Sequence, residues 1–469
     1  MSGSERSFTL ADQLWFGALS GDRNPIHVDP DWSAVNFPGE VVVHGAFALL
    51  WAIDRAMARL PDRFVERIKV TFVQPILIGD RVRLEVDPAA PMLRLFVGDA
   101  LMMVARLGLG DGPPPAPAPC PAAGDATLPL ASRPFATLQG LKGTIPAAVD
   151  PAALAEAFPQ AVAAMGPLMA AGLARISGLV GMECPGYRSM SSEYAIAAAA
   201  EVPADRLDYE VKRADRRFSR IELAVAGSGL QGSVTAYQGR DAPEPGAEEI
   251  AGLVPAGAFA GSEPLILGGS HGLGAAAARL LAAGGARPWL TWQRSPEAAE
   301  RMRALIEAEG GACRTSRFDT ADIEAGMAAL AEGGWAGGQA YYFATPRILR
   351  RALAGDAAAD LAAFTHSYVD RFAAFAAALR GLRGDAALTL FYPSDESVAQ
   401  PPPNLACYAE AKSAGERLCL ELQAADPKLT VVAGRLPRAR TRQLQAIGPA
   451  EGVAAHEAIL PWLARVQGG

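Results

Sequence analysis

LSGDRNPIHVDPDWSAVNFPGEVVVHG, residues 19–45, is the stretch around which this chain is organised. Asp22 and His27 flank a turn of Arg23, Asn24 and Pro25. Pro25 fixes its own φ and holds Asn24 out of the helical region, so the two flanking side chains can converge. A carboxylate beside an imidazole can hold one water between them, one group taking its proton and the other orienting it. Addition or removal of water needs that arrangement. Val41, Val42 and Val43 then run apolar into His44 and Gly45, and residues 46–57 carry the apolar pattern of a buried helix. Gly45 stands at the helix entrance, where backbone N–H groups are unpaired and point outward. A carbonyl oxygen gaining negative charge could be received there.

Gly21, Asp22, Asn24, Pro25, Ile26, His27 and Asp29, followed by His44 and Gly45, resemble the signature of the MaoC-like, R-specific enoyl-CoA hydratases and dehydratases. The resemblance implies a hot-dog fold. It also implies that Asp22 and His27 activate or expel the water and that the Gly45 amide binds the thioester oxygen. One departure stands out: some members place a serine in the apolar helix near the catalytic pair, where this chain has Ile53, which loosens the hydrogen-bond support of the pair. Taken singly, Asp22 reads as a helix cap and His27 as a satisfied polar residue. The complete string favours catalysis.

At 469 residues the chain should hold two to four domains. Half the residues are hydrophobic and a fifth charged, as in an ordinary globular protein, and the net charge of −7 gives no basic face for nucleic acid. The five cysteines are scattered without metal-ligand spacing, so no metal site is expected and a reducing compartment is implied. The N-terminus lacks an apolar signal core and no stretch is long enough to span a bilayer. A cytoplasmic protein without a membrane partner is the expectation.

Residues 67–75, 80–86, 92–97 and 101–109 alternate as half-buried strands and could wrap around the 46–57 helix, giving a first hot-dog domain over 1–110. Residues 111–134 begin rich in proline and alanine and read as a linker. A second unit, 135–238, offers an apolar helix over 151–179 and strands over 183–196, 217–226 and 230–237. Helix followed by antiparallel strands echoes the first unit, and the CPG turn with its serines resembles the degenerate half of double hot-dog proteins. No second Asp-turn-His string occurs. This half would supply one wall of an acyl tunnel; the alternative is an unrelated α+β domain. A second linker covers 239–262. From 263 to 469 short apolar strands (264–268, 288–293, 312–318, 339–343, 387–392, 429–436) alternate with alanine-rich helices, as in a doubly wound parallel sheet. The fold class expected is therefore an α+β double hot-dog followed by an α/β Rossmann-type sheet.

The first turn of that sheet contains Gly268, Gly269, Ser270, His271, Gly272, Leu273 and Gly274, after a strand and before a helix. Glycines let the backbone approach a pyrophosphate, and the helix N-terminus offers N–H groups to it. Arg294 and Ser295 follow the second strand, where arginine can pair with a 2′-phosphate, and Asp319 follows the third. Tyr408 and Lys412 stand one helical turn apart. A nearby ammonium lowers a phenol's pKa, so that the phenol can protonate a carbonyl oxygen while a serine hydroxyl holds it. Ser394 ends the fifth strand. Together with Pro437 this set resembles the short-chain dehydrogenase/reductase family over about residues 262–442, which implies bound NADPH and catalysis by Ser394, Tyr408 and Lys412. The family's NNAG turn is here Phe343, Ala344, Thr345 and Pro346, and no helper asparagine stands around 366–371. Ser394 is one residue further from Tyr408 than usual, Asp395 takes the expected place, and Ser397 is the fallback.

The expectation is a bifunctional enzyme in which NADPH-dependent 3-ketoacyl reduction is followed by 3-hydroxyacyl dehydration, or the reverse. Its substrate would be an acyl-CoA or acyl-carrier-protein thioester in fatty-acid or polyketide-type metabolism, and a homodimer is possible. The rivals are a hydratase with a non-catalytic reductase-like domain and a non-catalytic acyl-binding scaffold.

Overall fold

The structure, a computed structural model, describes residues 4–36, 38–60, 63–87, 91–111, 127–239, 245–346, 357–402, 405–441 and 452–468. Most of the first linker (112–126) and residues 240–244 of the second lie outside the described residues. Packing separates the chain into two compact units, Met1–Arg240 and Asp241–Leu444, and Ala450–Gly469 joins the second.

The first unit is built on one antiparallel sheet. Its strands are β1 (Ser4–Ser7), β2 (Arg63–Phe72), β3 (Arg81–Asp87), β4 (Met92–Val97), β5 (Ala100–Asp111), β6 (Lys142–Pro146), β7 (Ser189–Ala198), β8 (Arg206–Asp215), β9 (Arg220–Gly227) and β10 (Leu230–Gln238). Their order across the sheet is β1-β3-β4-β5-β2-β7-β10-β9-β8-β6. The second five strands thus repeat the order of the first five in mirror sequence. The halves join where β2 meets β7, with Val70 opposite Tyr194 and Ile68 opposite Ile196. Burial alternates along β9 and β4, as a sheet with one face on a core requires.

Each half packs a helix. Gly45–Met57 is buried over nearly its whole length because its apolar residues encircle it. Phe16 stacks on Phe47 with ring centroids 4.9 Å apart, and Phe8, Trp15 and Phe158 close round the same ring. The single helix expected over 151–179 is instead three: Pro151–Ala157, Pro159–Met165 and Pro167–Gly178. Pro159 and Pro167 each stand at the first position of a new helix, since proline cannot donate to the preceding turn and displaces its neighbour from helical geometry. Buried Asp54 ties the halves together, its Oδ1 accepting the Gln160 and Ala161 N–H groups at the opening of Pro159–Met165. The strand expected from 183 begins only at Ser189, because Leu179–Glu183 is a wide helical turn that extends the preceding helix. No single helix among the described residues is long and apolar enough to cross a membrane.

The second unit holds a parallel sheet of β11 (Leu265–Leu267), β12 (Trp289–Trp292), β13 (Arg314–Arg317), β14 (Gln339–Tyr342), β15 (Leu388–Asp395) and β16 (Leu429–Leu436), in the order β13-β12-β11-β14-β15-β16. This is the doubly wound order, with its switch point between β11 and β14. Alternate residues serve opposite layers. Leu265, Leu267, Tyr342 and Leu390 pack into one core with Phe372 and Phe375, whereas Ile266, Tyr341 and Phe391 pack into another with Leu280 and Leu281. The C-terminal helix Ala455–Gln467 joins this second core through Ile459, Leu463 and Val466.

Candidate active site

The turn that carries Asp22 and His27 follows helix Leu10–Ser20, which ends at Gly21 in the left-handed conformation. Asn24 caps Pro25–Val28 with its side-chain oxygen, while its amide donates to the carbonyls of Gly181 (2.7 Å) and Gly186 (3.3 Å) in the second half. Asp22 is 1% exposed. Its Oδ1 accepts the Asn24 N–H, and its Oδ2 accepts the Ser177 hydroxyl at 2.7 Å. His27 Nε2 lies 3.9 Å from that same Oδ2. His27 Nδ1 is 2.7 Å from the Val42 carbonyl, which can only accept, so the ring proton is assigned to Nδ1 and Nε2 faces the carboxylate unprotonated when the ring is neutral. The His44 ring stacks on His27 with centroids 4.0 Å apart and sits between Gln13 Oε1 (2.9 Å) and the Asp22 carbonyl (3.0 Å).

Burial pushes Asp22 above the ordinary carboxylate range, against the pull of His27, Ser177, Asn24 and Arg175. Burial, followed by the neighbouring His27, holds His44 well below its usual value. Arg175, fully buried, is brought down to about 10 by burial while the charge of Asp22 opposes the change. Its guanidinium donates to the Ser20 carbonyl at 2.8 Å and the Pro146 carbonyl at 2.9 Å, pinning the end of the helix that leads into the turn. Asp22 and His27 open on a cavity of about 780 Å³. Val42, Val43, Ala48, Phe72, Ile76 and Met103 give it an apolar wall; Ser177, Ser189, Ser191 and Ser192 give it a hydroxyl-bearing one. Gly45 opens the helix between the lining residues Val43 and Ala48, and the ring of Phe72 packs against it. Asp22, His27 and His44 are a donor set that could approach a metal. Both His–Asp separations, however, are 3.9 Å, wider than the roughly 3.3 Å edge of a tetrahedral zinc site, and His44 Nε2 already faces a carbonyl.

In the second unit the glycine-rich turn joins β11 to helix Gly272–Ala283, and His271 is the N-cap. A Cβ on Gly274 would lie 2.3 Å from the Gly268 carbonyl, so only glycine lets the turn close this tightly on the helix start. Ser270 Oγ lies 3.0 Å from His271 Nδ1, and Leu273 packs on the core behind the turn. Arg294 is exposed beyond β12; Ser295 caps the next helix, and Asp319 accepts from Gln293 and the Ala321 N–H. Tyr408 and Lys412 share one face of helix Ala406–Ala425. Lys412 Nζ donates to the Pro393 carbonyl at 2.6 Å and lies 3.7 Å from the Tyr368 ring centroid. Burial takes this lysine down to about 7 and raises the Tyr408 phenol well above its usual value. Ser394 does not face Tyr408. Its hydroxyl donates to Glu416 at 2.5 Å, and Arg435 grips that carboxylate with two nitrogens. The group that meets the phenol is Asp395, with Oδ2 3.5 Å from the Tyr408 oxygen. The displacement by one residue along β15 reverses the facing of the side chain, which corrects the placement expected for Ser394.

Residues 3–90 match the family model described as MaoC like domain. The N-terminal segment is MaoC-like. Over 83 residues the chain is 31% identical to the peroxisomal multifunctional enzyme type 2 of Mus musculus, and over 80 residues it is 29% identical to that of Drosophila melanogaster. These stretches are 17% and 16% of this chain, which spans only 11% and 13% of the length of those curated relatives. Among solved structures the chain is similar to one described as a short chain dehydrogenase from Shigella flexneri 2a complexed with NADP (18% identity, 45% of this chain, 92% of that chain, TM-score 0.40). It is also similar to a short-chain dehydrogenase/reductase from Serratia marcescens (19%, 45%, 91%, TM-score 0.39).

Within the MaoC-like segment the structure brings together Asp22, His27 and the entrance helix of Gly45. The hydroxyl sought near Ile53 comes from elsewhere: Ile53 is sealed in the core, and Ser177, on the helix of the second half, supplies the hydrogen bond. Gln13, Arg175 and Gly181 were likewise not singled out in the sequence. A serine near the end of the second half's helix was the available signal, but nothing in its spacing tied it to a turn 155 residues earlier.

Proposed function

We propose that the first unit is a double hot-dog hydratase/dehydratase, with 1–110 as its active half and 135–238 as its degenerate half. The second unit, 263–469, is read as an NADPH-dependent short-chain reductase acting on the 3-keto form of the same acyl group. The mirrored strand order supports the pairing of two hot-dog halves. The observation that carries the catalytic assignment is the convergence of Asp22, His27 and the Ser177 hydroxyl at the edge of a cavity with one apolar wall.

One water at about 2.8 Å from both can bridge the 3.9 Å between His27 Nε2 and Asp22 Oδ2. One partner takes its proton as the oxygen bonds to Cβ of a 2-enoyl thioester, and the other delivers a proton to Cα. Both groups lie on one side of the cavity, so oxygen and proton add to the same face. The thioester oxygen, gaining charge, is met by the N–H of Gly45 at the positive end of a 13-residue helix. The apolar wall receives the acyl chain. The thioester is carried by CoA or a carrier protein.

A nicotinamide dinucleotide fits the glycine cradle. Gly268, Ser270, His271, Gly272, Leu273 and Gly274 would hold its pyrophosphate, Arg294 its 2′-phosphate, and Asp319, Tyr408 and Lys412 would complete the site. When bound it supplies a hydride. Tyr408 then gives its proton to the carbonyl oxygen. A second reading, hydratase activity alone, is favoured by one observation, the engagement of Ser394 with Glu416. Incubation with acetoacetyl-CoA and NADPH tests the pair of activities: loss of nicotinamide absorbance with 3-hydroxy and 2-enoyl products supports both. Hydration of crotonyl-CoA without any NADPH consumption leaves the hydratase alone.

A further inference from the structure

We infer that Asp395 holds the phenolic proton of Tyr408 and so restrains ketone reduction in the second unit. The inference rests on reading that unit as a reductase. In such a reduction the nicotinamide gives two electrons and a proton as hydride to the carbonyl carbon. The phenol O–H breaks as its proton passes to the carbonyl oxygen, and solvent later restores the phenol. A neutral hydroxyl beside the phenol helps, because it can donate to the oxygen that gains charge. A carboxylate hinders twice: it accepts the phenol's hydrogen bond, and it repels the developing alkoxide.

The structure places a carboxylate there. Asp395 ends β15 with Oδ2 3.5 Å from the Tyr408 oxygen, and its Oδ1 accepts the Ser397 N–H at 2.7 Å, which fixes the side chain at the turn. Ser394, the neighbouring hydroxyl, is committed to Glu416. The groups packed about the phenol are Phe364 and Tyr368 from the preceding helical segment, Tyr392 and Asp395 from β15, and Lys412 one turn along its own helix. Lys412, the one cation among them, is turned to the Pro393 carbonyl and the Tyr368 ring, 5.7 Å from the centroid of Tyr408. After burial and Tyr368, the Asp395 carboxylate is the next cause that raises the Tyr408 pKa.

Asp395→Asn keeps the oxygen that caps Ser397 and removes the charge; Asp395→Ser installs a neutral hydroxyl. Both are made in the full chain, with NADPH affinity measured by cofactor fluorescence as the check on folding. Ultraviolet resonance Raman spectra, taken as differences against Tyr408→Phe, read the hydrogen bond of the phenol without any substrate. The tyrosine doublet is expected to shift in both variants, away from the wild-type ratio and toward that of a weaker donor. With acetoacetyl-CoA, kcat for reduction should rise roughly tenfold, the worth of one unit of phenol acidity, while KM for NADPH stays within about twofold. An unchanged doublet in both variants that still bind NADPH overturns the inference. A shifted doublet with no ketone reduced by any variant upholds the Asp395–Tyr408 pairing and removes the reductase reading instead.

Discussion

Asp22 carries its charge in a place that resists it: burial raises its pKa, and Ser177, Asn24, His27 and Arg175 only partly restore ionisation. The folded chain therefore keeps the Asp22 proton to a higher pH than the unfolded chain does. As pH rises from the ordinary carboxylate value toward the raised folded value, the unfolded state loses its proton first and stability falls; above both, a constant penalty remains. Asp22→Asn should accordingly unfold at higher temperature than the wild type at neutral pH, with the difference shrinking in acid, and calorimetry across pH checks this. Its hydratase activity should fall by about 10²- to 10⁴-fold, the usual worth of an acid/base group. Ser177→Ala removes a bond that favours the carboxylate form, so the acid limb of the hydration pH profile should move to higher pH with the fold intact. A profile that does not move would detach Ser177 from the reaction. The sequence made Asp22 and His27 legible because their turn is local and its proline and asparagine set the geometry. Ser177 was not legible, since it reaches Asp22 only through the pairing of two halves.

Among the elements, the wide turn Leu179–Glu183 bears most directly on the site. Gly181 passes so close to the buried carboxylate that a Cβ there would lie 2.1 Å from Asp22 Oδ1. Gly181→Ala should displace Asp22 or the turn, costing about 1–3 kcal/mol of stability as overpacking does and most of the hydratase activity; chemical denaturation and the crotonyl-CoA assay measure the two. Wild-type activity in Gly181→Ala would mean that the turn does not press on Asp22. Arg175→Met leaves the Ser20 and Pro146 carbonyls to find new partners, at roughly 1–3 kcal/mol for each buried group left unpaired. Strand alternation was visible in the sequence wherever one face meets a core, as in β4 and β9. The three-part helix was less so, because an apolar run with prolines reads as continuous until their positions are recognised as helix starts. Strand β8 has a weak sequence signal because charged residues fill its outward positions, leaving only Leu207, Tyr209 and Val211 to mark the buried face.

Across the whole molecule the two proposed chemistries fall in two compact units, and variants in one should leave the other untouched. The doubly wound order of the second unit was legible from alternating strands and helices, and the glycine turn fell at its first strand as expected. What the alternation could not indicate was the facing of Ser394 and Asp395, because a shift of one residue on a strand exchanges its two sides. NADPH should bind more tightly than NADH, with Arg294→Ala erasing most of the preference in calorimetry at low salt; an unchanged preference would remove Arg294 from the cofactor site. The most direct test of the central assignment is hydration of crotonyl-CoA by the intact wild-type chain, followed through the absorbance of the conjugated thioester, beside Asp22→Asn and His27→Ala. Turnover is expected of the wild type and its loss of both variants, with NADPH affinity unchanged throughout. Wild-type rates in both variants would contradict it.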